Sequence, residues 1–373
     1  MNRKSGLSLL VILVTVVFTL VASAPYGMGQ VIKWRAASVW TPAMGALDKG
    51  AKHFVEVVNE VCKGELEVKH FAAGEIVSTF EVFGAVQTGT IPMGLETPLY
   101  WAGKNTAFGA MGSLVGGPSQ MDMITWIYQG GGAELADELY AKFGAKYFFT
   151  GVLGAESGIR GRKEFKKIDD FKGAKIRMSG QLQGLVLKDL GVAHSMLAGQ
   201  ELYQALEKGV IDAAEFSTPD VDWGLGFQDI TKVWNVPAWH QPSSTVGVMI
   251  NKKTWDSLSK GLQAKIKWAA MASTLWSSTH FNSESGIYTK KFLDKGVKVS
   301  NLDTASLAEI QKLCFKNILV EAEKNPLFAK VVLSIYQTMA TLGYFRTMEL
   351  GLLSRPVTLP DLETLRLAAA KEK

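Results

Sequence analysis

Two short apolar segments of this chain each end beside a charged side chain. Residues 169–178 read DDFKGAKIRM, a polar turn and a short strand that place Arg177 near the far end. Residues 209–214 form a second apolar segment, which is followed by Glu215 and Phe216. Because the planar guanidinium of arginine matches a carboxylate through two parallel hydrogen bonds, this pattern predicts a site for a small anion. The residues alone leave two alternatives open: a surface ion pair of Arg177 with the preceding aspartates, and a solvated, helix-capping Glu215.

Motifs of known catalytic centres are largely missing. Residues 154–158 (GAESG) resemble a nucleophile elbow but lack the glycines two residues before and after Ser157. Neither of the glycine-rich phosphate-binding patterns GxxxxGK and GxGxxG occurs, and no histidine pair has the zinc spacing with a glutamate between. The histidines are His53, His70, His194, His240 and His280. The sequence therefore predicts a protein that is not an enzyme, and an exported enzyme acting on an organic acid stays open as an alternative.

The N-terminus predicts export. Two basic residues precede an almost wholly apolar stretch at residues 7–21, which is too short for a membrane span of roughly 20 residues. Small residues follow, and cleavage after either Ala24 or Gly29 fits them. We therefore expect residues 1–29 to be a signal peptide and the mature protein to be periplasmic.

Composition limits the class of protein further. The net charge of +5 falls to +3 without Arg3 and Lys4, which is too mild to indicate a nucleic-acid partner. A hydrophobic content of 47% indicates a well-filled globule. We expect Cys62 and Cys314 to be buried free thiols, although a disulfide between them stays open.

Strand-like and helical patterns alternate from residue 31 onward, which predicts an α/β fold. The chain exceeds the length that one core usually organises, so two lobes are expected, each with a mixed sheet. Helical character runs nearly unbroken over residues 262–293, long enough to brace both lobes. The predicted boundaries are residues 30–153 plus about 242–282 for lobe 1, residues 154–241 plus part of the C-terminal helices for lobe 2, and residues 283–373 for the C-terminal helices and tail.

From Trp34 to Met348 the chain resembles the periplasmic solute-binding proteins of tripartite ATP-independent periplasmic (TRAP) transporters. The matching segments are residues 73–77 (AGEIV), 80–83 (FEVF), 100–105 (YWAGKN), 130–132 (GGG), 169–178, 199–206 (GQELYQAL), 209–215, 237–242 (PAWHQP) and 325–328 (NPLF). The similarity is strongest to the branch that binds 2-oxo acids and related monocarboxylates. It implies a two-lobed protein that closes over a small organic acid and delivers it to a TRAP membrane permease.

The resemblance also implies roles for individual residues. In this family the arginine that matches Arg177 clamps the substrate carboxylate. In the 2-oxo acid branch, a cation such as sodium or calcium bridges the substrate, and the positions that help to hold it are Glu156, Glu215 and Phe216. The other members of the predicted site are the pocket aromatics Trp40 and Tyr100 and the nearby His240.

Three departures from that branch leave the ligand open. Glu156 replaces a glutamine, Phe216 replaces a tryptophan, and Arg160 stands where the branch has another tryptophan. In relatives that bind dicarboxylates or acidic sugars, a glycine-x-arginine in this region supplies a second arginine, and Gly158 and Arg160 fit that pattern. We therefore expect a 2-oxo or 2-hydroxy monocarboxylate, and the alternative is a dicarboxylate or acidic sugar held by Arg160 and Arg177 together.

Overall fold

The structure, a computed structural model, describes residues 30–353. The predicted signal peptide and the polar tail from Arg355 lie outside these residues. Across the described part of the chain, no helix is both long enough and apolar enough to span a membrane.

Eleven strands and thirteen α-helices make up the described residues. The strands are β1 Ile32–Ser38, β2 Leu66–Phe71, β3 Met93–Glu96, β4 Ala145–Leu153, β5 Ile159–Gly161, β6 Lys175–Arg177, β7 Ala193–Ser195, β8 Ala213–Ala214, β9 Val233–Val236, β10 Ser244–Asn251 and β11 Lys298–Asn301. The helices are α1 Gly45–Val61, α2 Val82–Gln87, α3 Thr106–Gly112, α4 Gln120–Gln129, α5 Gly132–Ala141, α6 Gln181–Asp189, α7 Leu202–Glu207, α8 Pro219–Gly224, α9 Phe227–Ile230, α10 Lys252–Asp256, α11 Lys260–Asp294, α12 Thr304–Lys324 and α13 Pro326–Leu353. Short 3-10 turns cover Pro42–Met44, Thr79–Glu81, Pro98–Trp101, Ile168–Phe171 and Gly199–Glu201.

The first sheet contains strands from distant parts of the chain. Its order is β2-β1-β3-β10-β4, with β1 parallel to β2 and β3. Strand β10 runs antiparallel to both β3 and β4, and its eight residues are all buried. Helix α1 packs against this sheet because its apolar residues recur at helical spacing. Among them, Phe54 and Val58 are 0% exposed, and full burial of such a side chain stabilises the fold by about 1.5–3 kcal/mol.

The second sheet has the order β11-β9-β5-β8-β6-β7. Strand β6 is parallel to β7 and β8, whereas β5 is antiparallel to β8 and β9. In β6, Lys175 is exposed while Ile176 and Arg177 are buried. The predicted clamp residue therefore lies inside the molecule, at the end of a strand.

Helix α11 has 35 residues and contacts strand β4, helix α1 and helix α8. It begins at a serine N-cap, where Ser259 Oγ accepts a hydrogen bond from the backbone N–H of Leu262 at 3.2 Å. Two mixed sheets with a long helix bracing them confirm the α/β, two-lobed fold expected from the sequence. The lobe boundaries given above stay a prediction. Cys62 and Cys314 are both free and buried, as expected.

A buried carboxyl ends strand β3. The hydroxyl of Tyr140 donates a hydrogen bond to Glu96 Oε1 at 2.7 Å, and the indole N–H of Trp101 donates to Oε2. Burial raises the pKa of Glu96 to about 8, and the two hydrogen bonds only partly oppose that rise. Glu96 is therefore protonated in the folded protein at neutral pH.

Candidate functional site

A small cavity lies where strands of both sheets end. Its volume is about 30 Å³, where a single water takes roughly 10–15 Å³ on the same measure. It is lined by Trp40, Leu47, Thr97, Leu99, Tyr100, Leu153, Glu156, Ser179, Phe216, Ser217, Gln241, Ser244, Thr245 and Val246. The lining combines aromatic and aliphatic side chains with a few polar groups, which suits a small organic ligand.

Arg177 and Glu215 form a buried ion pair directly behind the lining residues Ser179 and Phe216. Strands β6 and β8 are parallel neighbours, with Arg177 opposite Ala214, so the carboxylate that follows β8 meets the guanidinium. The distance from Arg177 Nη1 to Glu215 Oε1 is 2.8 Å, and both side chains are 0% exposed. The alternatives of a surface arginine and a solvated Glu215 are thus wrong.

Most donors of Arg177 are already used within the protein. Its Nε and Nη2 donate to the carbonyl oxygen of Leu197 at 3.1 and 3.0 Å. Its Nη1 donates to the carbonyl oxygen and to Oε1 of Glu215 at 2.7 and 2.8 Å. Four of the five N–H groups of the guanidinium are thereby engaged, and the hydroxyl of Tyr100 lies within reach of the guanidinium.

Aromatic rings surround the guanidinium of Arg177. The Arg177 Cζ lies 5.0 Å from the ring centroid of Phe216, and the Trp40 and Tyr100 centroids are 5.8 Å apart. Burial raises the pKa of Tyr100, and the nearby Arg177 opposes that rise. The hydroxyl of Tyr100 and the last donor of Arg177 therefore face the same space.

Glu156 enters the cavity from the segment that follows β4. Its Oε1 accepts hydrogen bonds from Gln241 Nε2 at 2.8 Å and from Ser244 Oγ at 3.4 Å. Its Oε2 has no hydrogen-bond partner among the described residues. Burial raises the pKa of Glu156 well above its usual value, and the neighbouring Glu215 raises it further.

Three side chains converge at this point in a geometry suited to a cation. Glu156, Glu215 and His240 each offer one ligand atom, and these atoms lie within 4.8 Å of one another. Within residues 30–353, Oε2 of both glutamates and both ring nitrogens of His240 lack hydrogen-bond partners. Burial lowers the pKa of His240 to about 4, so its imidazole is neutral and can present a lone pair. Unpartnered buried acceptors fit a bound cation, because each would otherwise be costly to bury.

From the sequence, Phe216 is expected among the residues that hold the metal and His240 among the other pocket residues. The structure brings His240 to the third corner, with Nε2 3.7 Å from Glu156 Oε2, and stacks the Phe216 ring on Arg177. Two further polar side chains were not anticipated. Ser179 donates to Glu215 Oε1 at 2.9 Å and to Gln241 Oε1 at 3.1 Å, which joins the two carboxylate groups into one network.

The structure does not bring Arg160 into the cavity lining. Its Nε lies 2.5 Å from Asp222 Oδ2, and its side chain is 0% exposed. The guanidinium carbon lies 3.9 and 3.7 Å from the ring centroids of Trp234 and Phe292, so the group is held between two aromatic faces. Arg160 is therefore neutralised within the second sheet and does not form the predicted second clamp in this structure.

This chain matches one family of known proteins over most of its length. The family model of the bacterial extracellular solute-binding proteins, family 7, matches residues 37–322. A monocarboxylate 2-oxoacid-binding periplasmic protein of Nostoc sp. is 32% identical over 300 residues, which cover 80% of this chain and 82% of the relative.

Two solved structures of similar identity differ in how well they superimpose. A TRAP periplasmic solute-binding protein from Colwellia psychrerythraea with bound calcium and pyruvate gives a TM-score of 0.82 at 26% identity, covering 86% of this chain and 97% of that one. An apo, open structure from Rhodobacter sphaeroides gives 0.64 at 26% identity, covering 83% and 98%. This chain therefore superimposes more fully on the calcium- and pyruvate-bound relative than on the open one. The extent of these matches and the two-sheet architecture together show that the chain belongs to the family 7 extracellular solute-binding proteins of TRAP transporters.

Proposed function

We propose that this protein captures a short 2-oxo monocarboxylate together with a calcium ion and delivers it to a TRAP membrane permease. The observation that carries the proposal is the convergence of Glu156, Glu215 and His240, whose free ligand atoms meet beside Arg177. Calcium prefers oxygen ligands, so the carboxylates of Glu156 and Glu215 would hold it, and the imidazole of His240, a poor ligand for calcium, would line the site. When bound, the cation supplies a positive centre that a carboxylate and an adjacent 2-oxo oxygen can both contact.

The formal charges favour a divalent ion. Arg177 is balanced by Glu215, and Arg160 is balanced by Asp222. A bound cation would keep Glu156 ionised against the rise in its pKa that burial and Glu215 cause, so Glu156 and the substrate carboxylate contribute two negative charges. A buried pocket tolerates little uncompensated charge. One calcium ion brings this sum to zero, whereas one sodium ion leaves one negative charge.

The cavity also limits the substrate. The fifth donor of Arg177 and the hydroxyl of Tyr100 would contact the substrate carboxylate. The lining combines the apolar side chains of Trp40, Phe216 and Leu153 with serine, threonine and glutamine side chains, none of which carries a positive charge. Since Arg160 is engaged elsewhere, a second carboxylate would find no arginine here. A small, mostly apolar 2-oxo acid such as pyruvate fits this chemistry better than a diacid or an acidic sugar.

Delivery to a permease and a periplasmic location follow from membership of the family. They agree with the predicted signal peptide at residues 1–29, which would direct the mature protein out of the cytoplasm.

Isothermal titration calorimetry tests the proposal. The mature protein is treated with a chelator, dialysed and titrated with pyruvate in calcium, in sodium alone and without added cation. Tight binding only with calcium supports the proposal. Equal affinity in all three buffers would contradict the cation assignment, and tighter binding of a dicarboxylate would contradict the substrate class. A parallel NMR assay for conversion of pyruvate separates a binding protein from an exported enzyme.

A further inference from the structure

Helix α8 joins the two halves of the molecule through two carboxylates. It follows the cavity residues Phe216 and Ser217 and carries both Asp220 and Asp222, which are buried. Asp222 contacts strand β5 of the second sheet, and Asp220 contacts the start of helix α1, which packs against the first sheet. The helix therefore lies next to the cavity and contacts both halves of the molecule.

Asp222 anchors α8 to the second sheet. Its Oδ2 pairs with Arg160 of β5 at 2.5 Å, and its Oδ1 accepts a hydrogen bond from the backbone N–H of Ser217 at 3.3 Å. Removing one partner of a buried pair leaves an uncompensated charge, so the contact is strongly maintained. Through this ion pair, α8 and the residues that α8 contacts are anchored to the second sheet.

Asp220 contacts helix α1, which packs against the first sheet. Its Oδ2 accepts a hydrogen bond from the backbone N–H of Ala46 at 2.8 Å, at the start of α1. The N-cap residue of α1, Met44, supplies no side-chain cap, so a carboxylate from the other half of the chain satisfies this N–H. Thr218 Oγ1 donates to Asp220 Oδ1 at 2.7 Å and fixes the orientation of the carboxylate.

Two glycines allow the backbones to approach closely at this contact. A Cβ atom on Gly45, whose φ is +45°, would lie 2.7 Å from Asp220 Oδ2. A Cβ atom on Gly224 would overlap the carbonyl oxygen of Ala43. The contact between α8 and the start of α1 therefore has no room for an added methyl group.

We propose that Asp220 is a positioning residue that holds the two lobes in the closed arrangement and so sets ligand affinity. Gly45 and Gly224 allow the close backbone approach that brings Asp220 to Ala46. This inference rests on the proposed function, because it concerns closure over the same ligand. An interaction that is made only in the closed form increases the population of that form, and affinity rises with that population. We call this contact the interlobe clasp, formed by Asp220, Ala46, Gly45 and Gly224.

Gly224→Ala is the sharpest variant. The added methyl group should lower pyruvate affinity in calcium by about 5- to 140-fold, since it meets backbone that must move apart. It should not lower the melting temperature of the ligand-free protein, because alanine favours a helix more than glycine does. The matched control is Gly84→Ala, in helix α2, where an added Cβ meets nothing within 4 Å.

Asp220→Ala tests the carboxylate itself. Loss of the cap should weaken pyruvate binding by about 2- to 30-fold, and Asp220→Asn, which keeps an acceptor, should recover most of the affinity. Asp229→Ala removes an exposed ion pair with Lys295 and serves as the control. Unchanged affinity together with a lower ligand-free melting temperature would overturn the proposal, because the contact would then be a permanent structural one.

Hydrogen exchange at the amide of Ala46, measured in calcium with and without pyruvate, gives a second readout, and its protection in the wild type should rise when pyruvate is added. Asp220→Ala and Gly224→Ala should both lose protection there, while the strands of the two sheets keep theirs. Equal protection in the wild type and both variants would overturn the clasp. A wild type that binds no pyruvate would contradict the proposed function alone, and amide exchange would still decide whether the clasp forms.

Discussion

Replacing Glu156 with glutamine should change which cation the pocket holds. Glutamine keeps an oxygen that can accept the hydrogen bonds now made to Oε1 from Gln241 and Ser244. It removes one formal negative charge and one carboxylate ligand from the cluster with Glu215 and His240. The variant therefore separates the charge of Glu156 from its place in the hydrogen-bond network.

The size of the effect follows from the charge balance. In the variant, a calcium ion and a monocarboxylate leave one positive charge uncompensated in a buried site. Removing one partner of a buried charge pair, so that the other charge stays buried without compensation, costs about 3–5 kcal/mol. At 1.4 kcal/mol per tenfold change, calcium affinity in the presence of pyruvate should fall by about 100- to 4000-fold. A sodium ion leaves no net charge in the variant, so pyruvate binding should become sodium-dependent.

Calorimetry of the chelator-treated variant measures both effects, with pyruvate titrated against series of calcium and sodium concentrations. Glu309→Gln is the matched control, because Glu309 makes only an exposed pair with Lys312. A Glu156→Gln protein that keeps wild-type calcium affinity would refute the charge argument. A variant that binds pyruvate without any cation would refute the cluster as a cation site.

Three other perturbations test neighbouring features. Arg177→Lys should lower pyruvate affinity at least about tenfold in calorimetry, because an ammonium cannot reproduce the charge-assisted fork. Arg160→Ala should destabilise the protein in urea by about 3–5 kcal/mol, because Asp222 is left buried and unpaired. Glu96→Gln should remove a pH dependence of the free energy of unfolding. The folded-state pKa of about 8 lies above the unfolded value, so the stability that Glu96 contributes is fully present below about pH 4.5 and falls by a few kcal/mol as pH rises to 8.

Each of these has a result that would contradict it. Micromolar pyruvate affinity in Arg177→Lys would remove Arg177 from the binding site. Arg162→Ala, at an exposed position, is the control for Arg160→Ala, and equal urea midpoints for the two would show that the pair with Asp222 contributes nothing. Identical pH profiles for wild type and Glu96→Gln, with urea as denaturant, would show that Glu96 does not titrate in this range.

The sequence indicated that Arg177 and Glu215 stand at the ends of two strands, with the Phe216 ring beside them, and the structure brings the three together. Their signals are local: a strand ends, a charged residue stands beside the end, and a ring follows. Strand pairing then brings the two ends together, because Arg177 lies opposite Ala214 on the parallel neighbour strand.

The same local signal misled at Arg160. A glycine followed by an arginine two residues later looks alike whether the guanidinium enters a pocket or turns away. The outcome depends on Asp222, Trp234 and Phe292, which are distant in sequence and meet Arg160 only in the fold. In the same way, His240 meets Glu156 and Glu215 only in the folded chain, and the spacing of these three residues in the sequence does not indicate the contact.

The place of strand β10 has a consequence for the order in which the protein is made. It lies between β3 and β4, yet about ninety residues of the second sheet and its helices are synthesised between β4 and β10. Until Asn251 has left the ribosome, the first sheet has an empty central position and two unpaired strand edges. A nascent chain shorter than this cannot complete either its first core or the wall of the cavity that begins at Ser244. The core of the first sheet can therefore be completed only after about two thirds of the chain has been synthesised.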